Sequence, residues 1–117
     1  MAGARLLIVD DEASLRDLLR RYLERSGYVV EAFADSEEAL RRFEAEPERF
    51  SLVVTDLALP GLNGEELIGR MRALNPQLRA LILSGYPHVP TQPLTGFLQK
   101  PFLPKTLIEE IERALAK

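Results

Sequence analysis

The sequence contains no cysteine, and this absence alone removes several functional classes. Without a thiol, the chain forms no disulfide, holds no zinc through thiolates and has no cysteine nucleophile. The sequence also has no run of lysine and arginine, and its net charge of −3 gives no broad electrostatic attraction to nucleic acid or to an anionic membrane. We therefore expect neither a direct nucleic-acid partner nor a membrane partner.

Long apolar stretches are absent as well. The N-terminus shows neither a signal-peptide pattern nor an apolar run of membrane-spanning length, so a cytoplasmic protein is expected. The 117 residues suit one domain, and 46% hydrophobic beside 28% charged residues is an ordinary balance for a folded chain. Because no repeat, linker or shift in composition divides the sequence, we treat residues 1–117 as one domain.

Short β-rich runs alternate with longer segments of helical period, which predicts an α/β fold built on a parallel sheet. The predicted strands are 5–9, 28–33, 51–55, 79–83 and about 96–99. The first two helices are predicted over 13–26 and 36–46. The third is predicted to begin at Asn63, which forms a capping pair with Glu66, and to end before Pro76. The last is predicted to begin near Pro104. Asp35 or Ser36 is expected to cap the second helix.

Residues 85–95, between the fourth and fifth predicted strands, break this alternation. They contain Pro87, Pro90 and Pro93, and interior prolines remove backbone donors and clash with the preceding turn. We therefore expect an extended or loosely turned connection, with the fourth helix missing or vestigial. His88, the only histidine, lies in this segment and is expected to be a solvated loop residue.

Polar residues follow four of the apolar runs, at the points where the predicted strands end. They are Asp10 and Asp11 after the first run, Asp56 after the third, Ser84 after the fourth and Lys100 after the fifth. In a parallel sheet these ends share one edge, where ligands bind. Three carboxylates repel one another unless a cation neutralises them, and Mg²⁺ prefers such hard oxygen ligands. A carboxylate beside the metal can attack phosphorus, while Lys100 and Ser84 hold phosphoryl oxygens.

Each signature alone is common, since an acidic pair after a strand is usually a turn or a cap, and a Ser-Gly or Lys-Pro pair is an ordinary strand exit. Their joint occurrence in this order at four strand ends favours phosphoryl chemistry. The same stretches resemble the receiver domains of the two-component response-regulator family over nearly the whole chain. The stretches are Ile-Val-Asp-Asp-Glu at 8–12, Thr-Asp-Leu at 55–57 with Pro-Gly at 60–61, Leu-Ser-Gly at 83–85 and Gln-Lys-Pro-Phe at 99–102.

The resemblance implies a doubly wound, flavodoxin-like sheet of five strands in the order 2-1-3-4-5. It also implies that Asp56 is the phosphorylated residue and that Mg²⁺ is the cofactor. The metal ligands would be Asp11, Asp56 and the backbone carbonyl of Ala58, with Asp10 acting partly through water.

The resemblance assigns the remaining roles to Lys100, Ser84 and Phe97. Lys100 and Ser84 hold the phosphoryl group and complete the catalytic set with the acceptor. Ser84 and Phe97 form a switch, because in the family the hydroxyl residue moves toward the phosphate and an aromatic residue on the fifth strand changes rotamer. An aromatic strand residue such as Phe97 is also compatible with a plain core position.

The implied function is a phosphoacceptor signalling switch of a two-component phosphorelay, which receives its phosphoryl group from a histidine kinase or a histidine phosphotransfer protein. Such a domain is not an enzyme in the usual sense, since it catalyses only its own phosphorylation and dephosphorylation. Two alternatives stay open. A phosphatase with an aspartyl nucleophile would want Asp-x-Asp after the first strand, where this chain has Asp-Asp. A phosphate-independent receiver-like binding module would be favoured by loss of an acidic residue or the lysine, and neither is lost.

Three features bear on how such a switch behaves. Ala58 stands where relatives are often polar and Tyr86 occupies the variable position after Ser84, so we expect slow hydrolysis of the acyl phosphate. Residues 85–95 alter a face that many relatives use for dimers, which leaves weak homodimerisation open. Residues 97–102 look most like receivers of hybrid sensor kinases, so the chain is either excised from a larger protein or a stand-alone receiver.

Overall fold

The computed structural model describes residues 3–116. In chain order the elements are β1 Arg5–Val9, α1 Ala13–Arg25, β2 Val29–Phe33, α2 Ser36–Ala45, β3 Leu52–Asp56, α3 Gly64–Leu74, β4 Arg79–Ser84, β5 Thr95–Gln99 and α4 Pro104–Leu115. The strands pair in parallel in the order β2-β1-β3-β4-β5, which confirms the predicted doubly wound sheet. Within residues 3–116, every helix is too short or too polar to cross a membrane.

Helices cover both faces of the sheet, and this explains why the strands are nearly continuous apolar runs. Along β1, Leu6 and Ile8 pack on one face with α1 and α4, whereas Leu7 and Val9 pack on the other face with α2 and α3. All four side chains are at most 1% exposed. At the site, polar residues follow these apolar runs where the strands leave the three-layered core.

Side-chain caps fix where two of the helices begin. Asn63 accepts a hydrogen bond from the backbone N–H of Glu66, and Glu66 accepts one in return from the backbone N–H of Asn63. This confirms the capping pair predicted for α3. Asp35 caps α2 by accepting from the backbone N–H of Glu38, so the second candidate, Ser36, is not the cap.

Residues 85–94 contain no helix, in agreement with the sequence prediction, but the segment is not loose. Glu65, in the first turn of α3, has its Oε2 2.7 Å from Nε2 of His88, and the same oxygen accepts a hydrogen bond from the backbone N–H of Thr91 at 2.8 Å. The ring of His88 also lies 6.2 Å from that of Phe97. The expectation that His88 is a solvated loop residue was therefore wrong, because its contacts with Glu65 and Phe97 hold it against the domain.

Arg72, in the last turn of α3, holds the far end of the same segment. Its guanidinium donates to the carbonyl oxygen of Leu94 at 2.7 Å, to Oγ1 of Thr95 at 2.9 Å and to the carbonyl oxygen of Leu78 at 3.0 Å. Leu94 has a φ of 52°, a conformation that L residues rarely adopt. The segment therefore runs along α3, fixed near each end by a charged side chain of that helix.

Candidate functional site

Four strand ends place polar side chains around one opening at the carboxyl edge of the sheet. Asp10 directly follows β1, Asp56 is the last residue of β3, Ser84 is the last residue of β4 and Lys100 directly follows β5. Because neighbouring strands pair in parallel, these ends lie side by side. Asp56, Ala58, Ser84 and Lys100 line one cavity of about 140 Å³.

Three carboxylates meet at this opening. One oxygen from each of Asp10, Asp11 and Asp56 lies within 4.8 Å of the others. Asp10 and Asp56 are 1% and 7% exposed, whereas Asp11 faces solvent. The ammonium of Lys100 lies 2.7 Å from Asp56 Oδ1 and 3.5 Å from Asp10 Oδ2. One cation thus faces two buried carboxylates, and the cluster keeps an excess of negative charge.

Burial and the neighbouring charges together shift the pKa of both partners in the central ion pair. Burial raises the pKa of Asp56 to about 7, with Lys100 opposing the rise and the charge of Asp10 adding to it. For Lys100, burial disfavours the ammonium, but the close contact with Asp56 and the charges of Asp56 and Asp10 outweigh it, so the pKa of Lys100 is raised. The carboxylate and the ammonium therefore each favour the charged form of the other.

The donor set fits a divalent cation such as Mg²⁺. Asp56 Oδ1 is buried and has no hydrogen bond of good geometry, although the ammonium of Lys100 is close. Its neighbours are further carboxylate oxygens, which are hard ligands, and the exposed Asp11 leaves room for the water that Mg²⁺ keeps. Ala58 lines the adjoining cavity. The residues present thus match the charge and the ligand type that this ion requires.

Hydrogen bonds hold the acidic turn after β1 in place. The backbone N–H of Glu12 donates to Asp10 Oδ1 at 2.9 Å, and the guanidinium of Arg16 donates to the carbonyl oxygen of Asp10 at 2.8 Å. Arg16 was not among the residues predicted from the sequence. An arginine on a helix that follows a strand has no local signature that separates it from a solvated surface cation.

The acceptor loop, residues 57–63, is fixed at both of its ends. The backbone N–H of Leu57 donates to the carbonyl oxygen of Leu83 at 2.9 Å. The backbone N–H of Gly64 donates to the carbonyl oxygen of Leu57 at 2.8 Å. Position 64 requires glycine, because a Cβ there would lie 2.5 Å from the carbonyl oxygen of Asp56. This close approach of Gly64 to the acceptor residue was not predicted from the sequence.

Ser84 and Phe97, expected to form the switch, lie on neighbouring strands. Ser84 Oγ accepts a hydrogen bond from the backbone N–H of Tyr86 at 3.1 Å, which leaves the hydroxyl proton free to be donated. Tyr86 lines the cavity but is 81% exposed. Phe97 is half-buried on the face of the sheet that α2 and α3 cover, beneath the segment that contains His88. The structure thus puts Ser84 at the cavity and Phe97 away from it.

Comparisons with known proteins identify the family. Residues 6–112 match the family model of the response regulator receiver domain. The chain is 33% identical to the response regulator receiver protein CpdR of Brucella abortus, over 95% of this chain and 96% of CpdR. The crystal structure of the receiver domain from the hybrid histidine kinase CckA matches with a TM-score of 0.87 and 33% identity, covering 96% of this chain and 99% of that domain. The chain therefore belongs to the response regulator receiver domain family.

Members of this family are the regulatory phosphoacceptor domains of two-component signal transduction, and they bind Mg²⁺ at an acidic aspartate cluster. They interact with histidine kinases or phosphotransfer proteins. The chain is also 32% identical to the sensor kinase CckA of Brucella abortus, of which it spans only 13%. The resemblance to receivers of hybrid kinases is confirmed, and it concerns the receiver segment of such proteins alone.

Proposed function

We propose that residues 1–117 act as one receiver domain in which Asp56 accepts a phosphoryl group from a phosphohistidine. The observation that carries this proposal is the 2.7 Å contact between Lys100 Nζ and Asp56 Oδ1, beside a cluster of three carboxylates. Asp10, Asp11 and Asp56, with the carbonyl of Ala58, would hold Mg²⁺. When bound, this ion supplies positive charge that neutralises the carboxylates and the entering phosphoryl group.

In the reaction, a carboxylate oxygen of Asp56 attacks the phosphorus atom of the donor. A P–O bond forms while the P–N bond to the donor imidazole breaks, and the imidazole nitrogen keeps the electron pair. Lys100 then transfers its ion pair from the carboxylate to phosphoryl oxygens, and Ser84 donates its hydroxyl proton to one of them. Most of the rate enhancement comes from positioning and charge neutralisation, as in other phosphoryl transfers.

The domain also catalyses the reverse of its activation, because water can attack the acyl phosphate at the same place. Ala58 lines the cavity but carries no group that orients a water molecule, and Tyr86 stands at the rim. We therefore propose a slowly hydrolysing acyl phosphate and no turnover of free phosphomonoesters.

The donor in this proposal is a histidine kinase or a histidine phosphotransfer protein, by membership in the family. Such donors are charged with phosphoryl groups from ATP, and we accordingly propose a cytoplasmic location. Weak homodimerisation remains a secondary proposal.

The output of the switch is proposed to pass through residues 85–94. Phosphorylation draws the hydroxyl of Ser84 toward a phosphoryl oxygen, and the segment begins at the next residue. His88 in this segment lies against Phe97, so a shift of the segment changes the space available to that ring. The surface altered by phosphorylation would then lie along β5 and the adjoining segment, which contains no helix between β4 and β5.

Incubation with acetyl phosphate and Mg²⁺, followed by intact mass measurement, tests the assignment. We expect one added phosphoryl group on the wild-type protein and none on Asp56→Asn. Asp17→Asn is the matched control, because Asp17 is a carboxylate on α1 that pairs with Arg20 and Arg21 instead of the site lysine. An unmodified wild-type protein would sink the proposal, and steady release of phosphate from phosphomonoesters would favour the phosphatase alternative.

A further inference from the structure

Ser36 is a buried hydroxyl that bonds to the acceptor loop and not to its own helix. It is the first residue of α2 and is 0% exposed. Its Oγ donates to the carbonyl oxygen of Pro60 at 2.9 Å and accepts from the backbone N–H of Leu62 at 2.8 Å. These partners are 24 and 26 residues away along the chain. Since Asp35 already caps α2, the hydroxyl is free to serve the loop.

Gly61 lies between the two bonded residues, and its fit against Ser36 is tight. Its φ of +82° falls in the left-handed region that favours glycine, and a Cβ at this position would lie 2.8 Å from Ser36 Oγ. The middle of the loop is therefore shaped around the hydroxyl. A shift of the loop would leave the buried hydroxyl of Ser36 without either partner, which disfavours other loop conformations.

We propose that Ser36 is a positioning residue for the metal site. It fixes the middle of the acceptor loop, and so sets where Ala58 lies relative to Asp56 before any ion binds. This inference rests on the proposed function, in which the carbonyl of Ala58 is a metal ligand. Ser36 does not line the cavity that contains Ala58 and Asp56, so it acts through the loop alone. Groups that orient metal ligands strengthen binding because the site is already ordered when the ion arrives.

Asn75 provides a matched control at the opposite edge of the sheet. Its buried side chain donates from Nδ2 to the carbonyl oxygen of Pro47 at 3.0 Å and accepts at Oδ1 from the backbone N–H of Gln77 at 3.1 Å. Like Ser36, it bonds to one backbone carbonyl and one backbone N–H. Because Asn75 follows α3 and precedes β4, it lies at the amino edge of the strands, away from Asp56.

The test is a calorimetric titration of Mg²⁺ into the metal-free wild-type protein, Ser36→Ala and Asn75→Ala. For Ser36→Ala we expect the dissociation constant of Mg²⁺ to rise about tenfold, the lower end of the effects seen for groups that orient metal ligands. In the metal-free protein the amide of Leu62 should exchange faster by NMR. Phosphorylation by acetyl phosphate should slow and then recover at saturating Mg²⁺. Asn75→Ala should lose comparable thermal stability and keep the wild-type affinity.

The outcomes separate the two proposals. Wild-type affinity in Ser36→Ala, or equal weakening in both variants, overturns the positioning role and leaves the phosphoacceptor function standing. A wild-type protein that binds no Mg²⁺ overturns the proposed function itself, and the positioning role with it. If Ser36→Ala does not fold, Ser36→Thr and Ser36→Val replace it, since they match in shape and differ in the hydroxyl. Ser36→Thr should bind Mg²⁺ more tightly than Ser36→Val, and equal affinities of these two variants overturn the inference.

Discussion

Glu65 Oε2 lies 2.7 Å from His88 Nε2, and this contact joins the first turn of α3 to residues 85–94. Burial disfavours the carboxylate, but the hydrogen bonds from Thr91 and His88 outweigh it and keep the pKa of Glu65 below its ordinary value. One carboxylate thereby orders the start of a segment that cannot supply its own helical hydrogen bonds. The non-helical connection between β4 and β5 is thus held in place by a side chain of the neighbouring helix α3.

Replacing Glu65 by alanine should release residues 85–94 without unfolding the domain. The variant loses two hydrogen bonds to a carboxylate, and we expect it to be less stable by about 2 kcal/mol. Hydrogen exchange followed by mass spectrometry should show lost protection confined to residues 85–94. Glu66→Ala is the control, because that carboxylate bonds to Asn63 at the start of α3 and not to the segment. Equal loss of protection in both variants would contradict the role given to Glu65.

Leu94→Asn should stabilise the protein. Leu94 has a φ of 52°, which costs an L residue with a bulky side chain about 1 kcal/mol, whereas asparagine adopts this conformation more readily. The leucine side chain is half-exposed, so little burial is lost. Urea denaturation should show the gain, and the same change at exposed Val89, which lacks a positive φ, should not. A destabilised Leu94→Asn would mean that the leucine side chain contributes more than the strain costs.

Glu31 should make the stability of the domain depend on acid. The hydrogen bonds from Arg42, reinforced by one from Arg5, hold the pKa of Glu31 below its ordinary value of 4.5, although burial opposes them. A carboxylate with a lowered pKa in the folded state stabilises the protein above its unfolded pKa. That contribution is lost as the pH falls through the lower folded value.

Comparison of Glu31→Gln with the wild type measures this contribution. At pH 7 the variant should be less stable by about 1–2 kcal/mol, and the difference should shrink toward zero as the pH falls below 4.5, because glutamine resembles the protonated acid. Urea denaturation at a series of pH values gives the curve. Glu24→Gln, at an exposed pair with Arg20, should change little. A pH-independent difference would rule out titration of Glu31 as the cause.

Ala58 should control how long the phosphorylated form lasts. Ala58→Asn places an amide at the cavity that can orient an attacking water, so phosphoryl loss should become severalfold faster. Ala58→Leu has a similar size without the polar group and should not accelerate it. The decay of the phosphorylated mass after removal of acetyl phosphate gives both rates. Equal acceleration by asparagine and leucine would point to altered packing and count against an effect on water.

The strand-end residues could be found from the sequence because each follows its own apolar run. The run sets the strand, the parallel arrangement sets the shared edge, and Asp56 and Lys100 thus come to lie 2.7 Å apart although they are far apart in the chain. The absence of a helix in residues 85–94 could likewise be predicted, because the prolines there remove backbone donors. These predictions depend on consecutive residues alone and not on which elements contact one another in the folded chain.

Ser36 and His88 show where local signals end. Ser36 has the residue type and position of a helix cap, and His88 lies in a proline-rich stretch that is typical of a solvated loop. Their actual partners, Pro60 and Leu62 for the serine and Glu65 for the histidine, lie more than 20 residues away. Which of two adjacent cap candidates turns inward depends on the hydrogen-bond partners in the facing loop. The periodicity of the sequence carries no information about those partners.

The sequence by itself therefore determined the sheet, its order through the family resemblance, and the set of polar groups at the carboxyl edge. It could do so because apolar periodicity and strand termini are properties of consecutive residues. The tertiary structure alone decided how those groups are held: the ion pair between Lys100 and Asp56, the hydrogen bonds of Ser36 on α2 to the acceptor loop, and the proline-rich segment fixed along α3. These depend on distances between elements that packing brings together, and packing is a property of the folded chain as a whole.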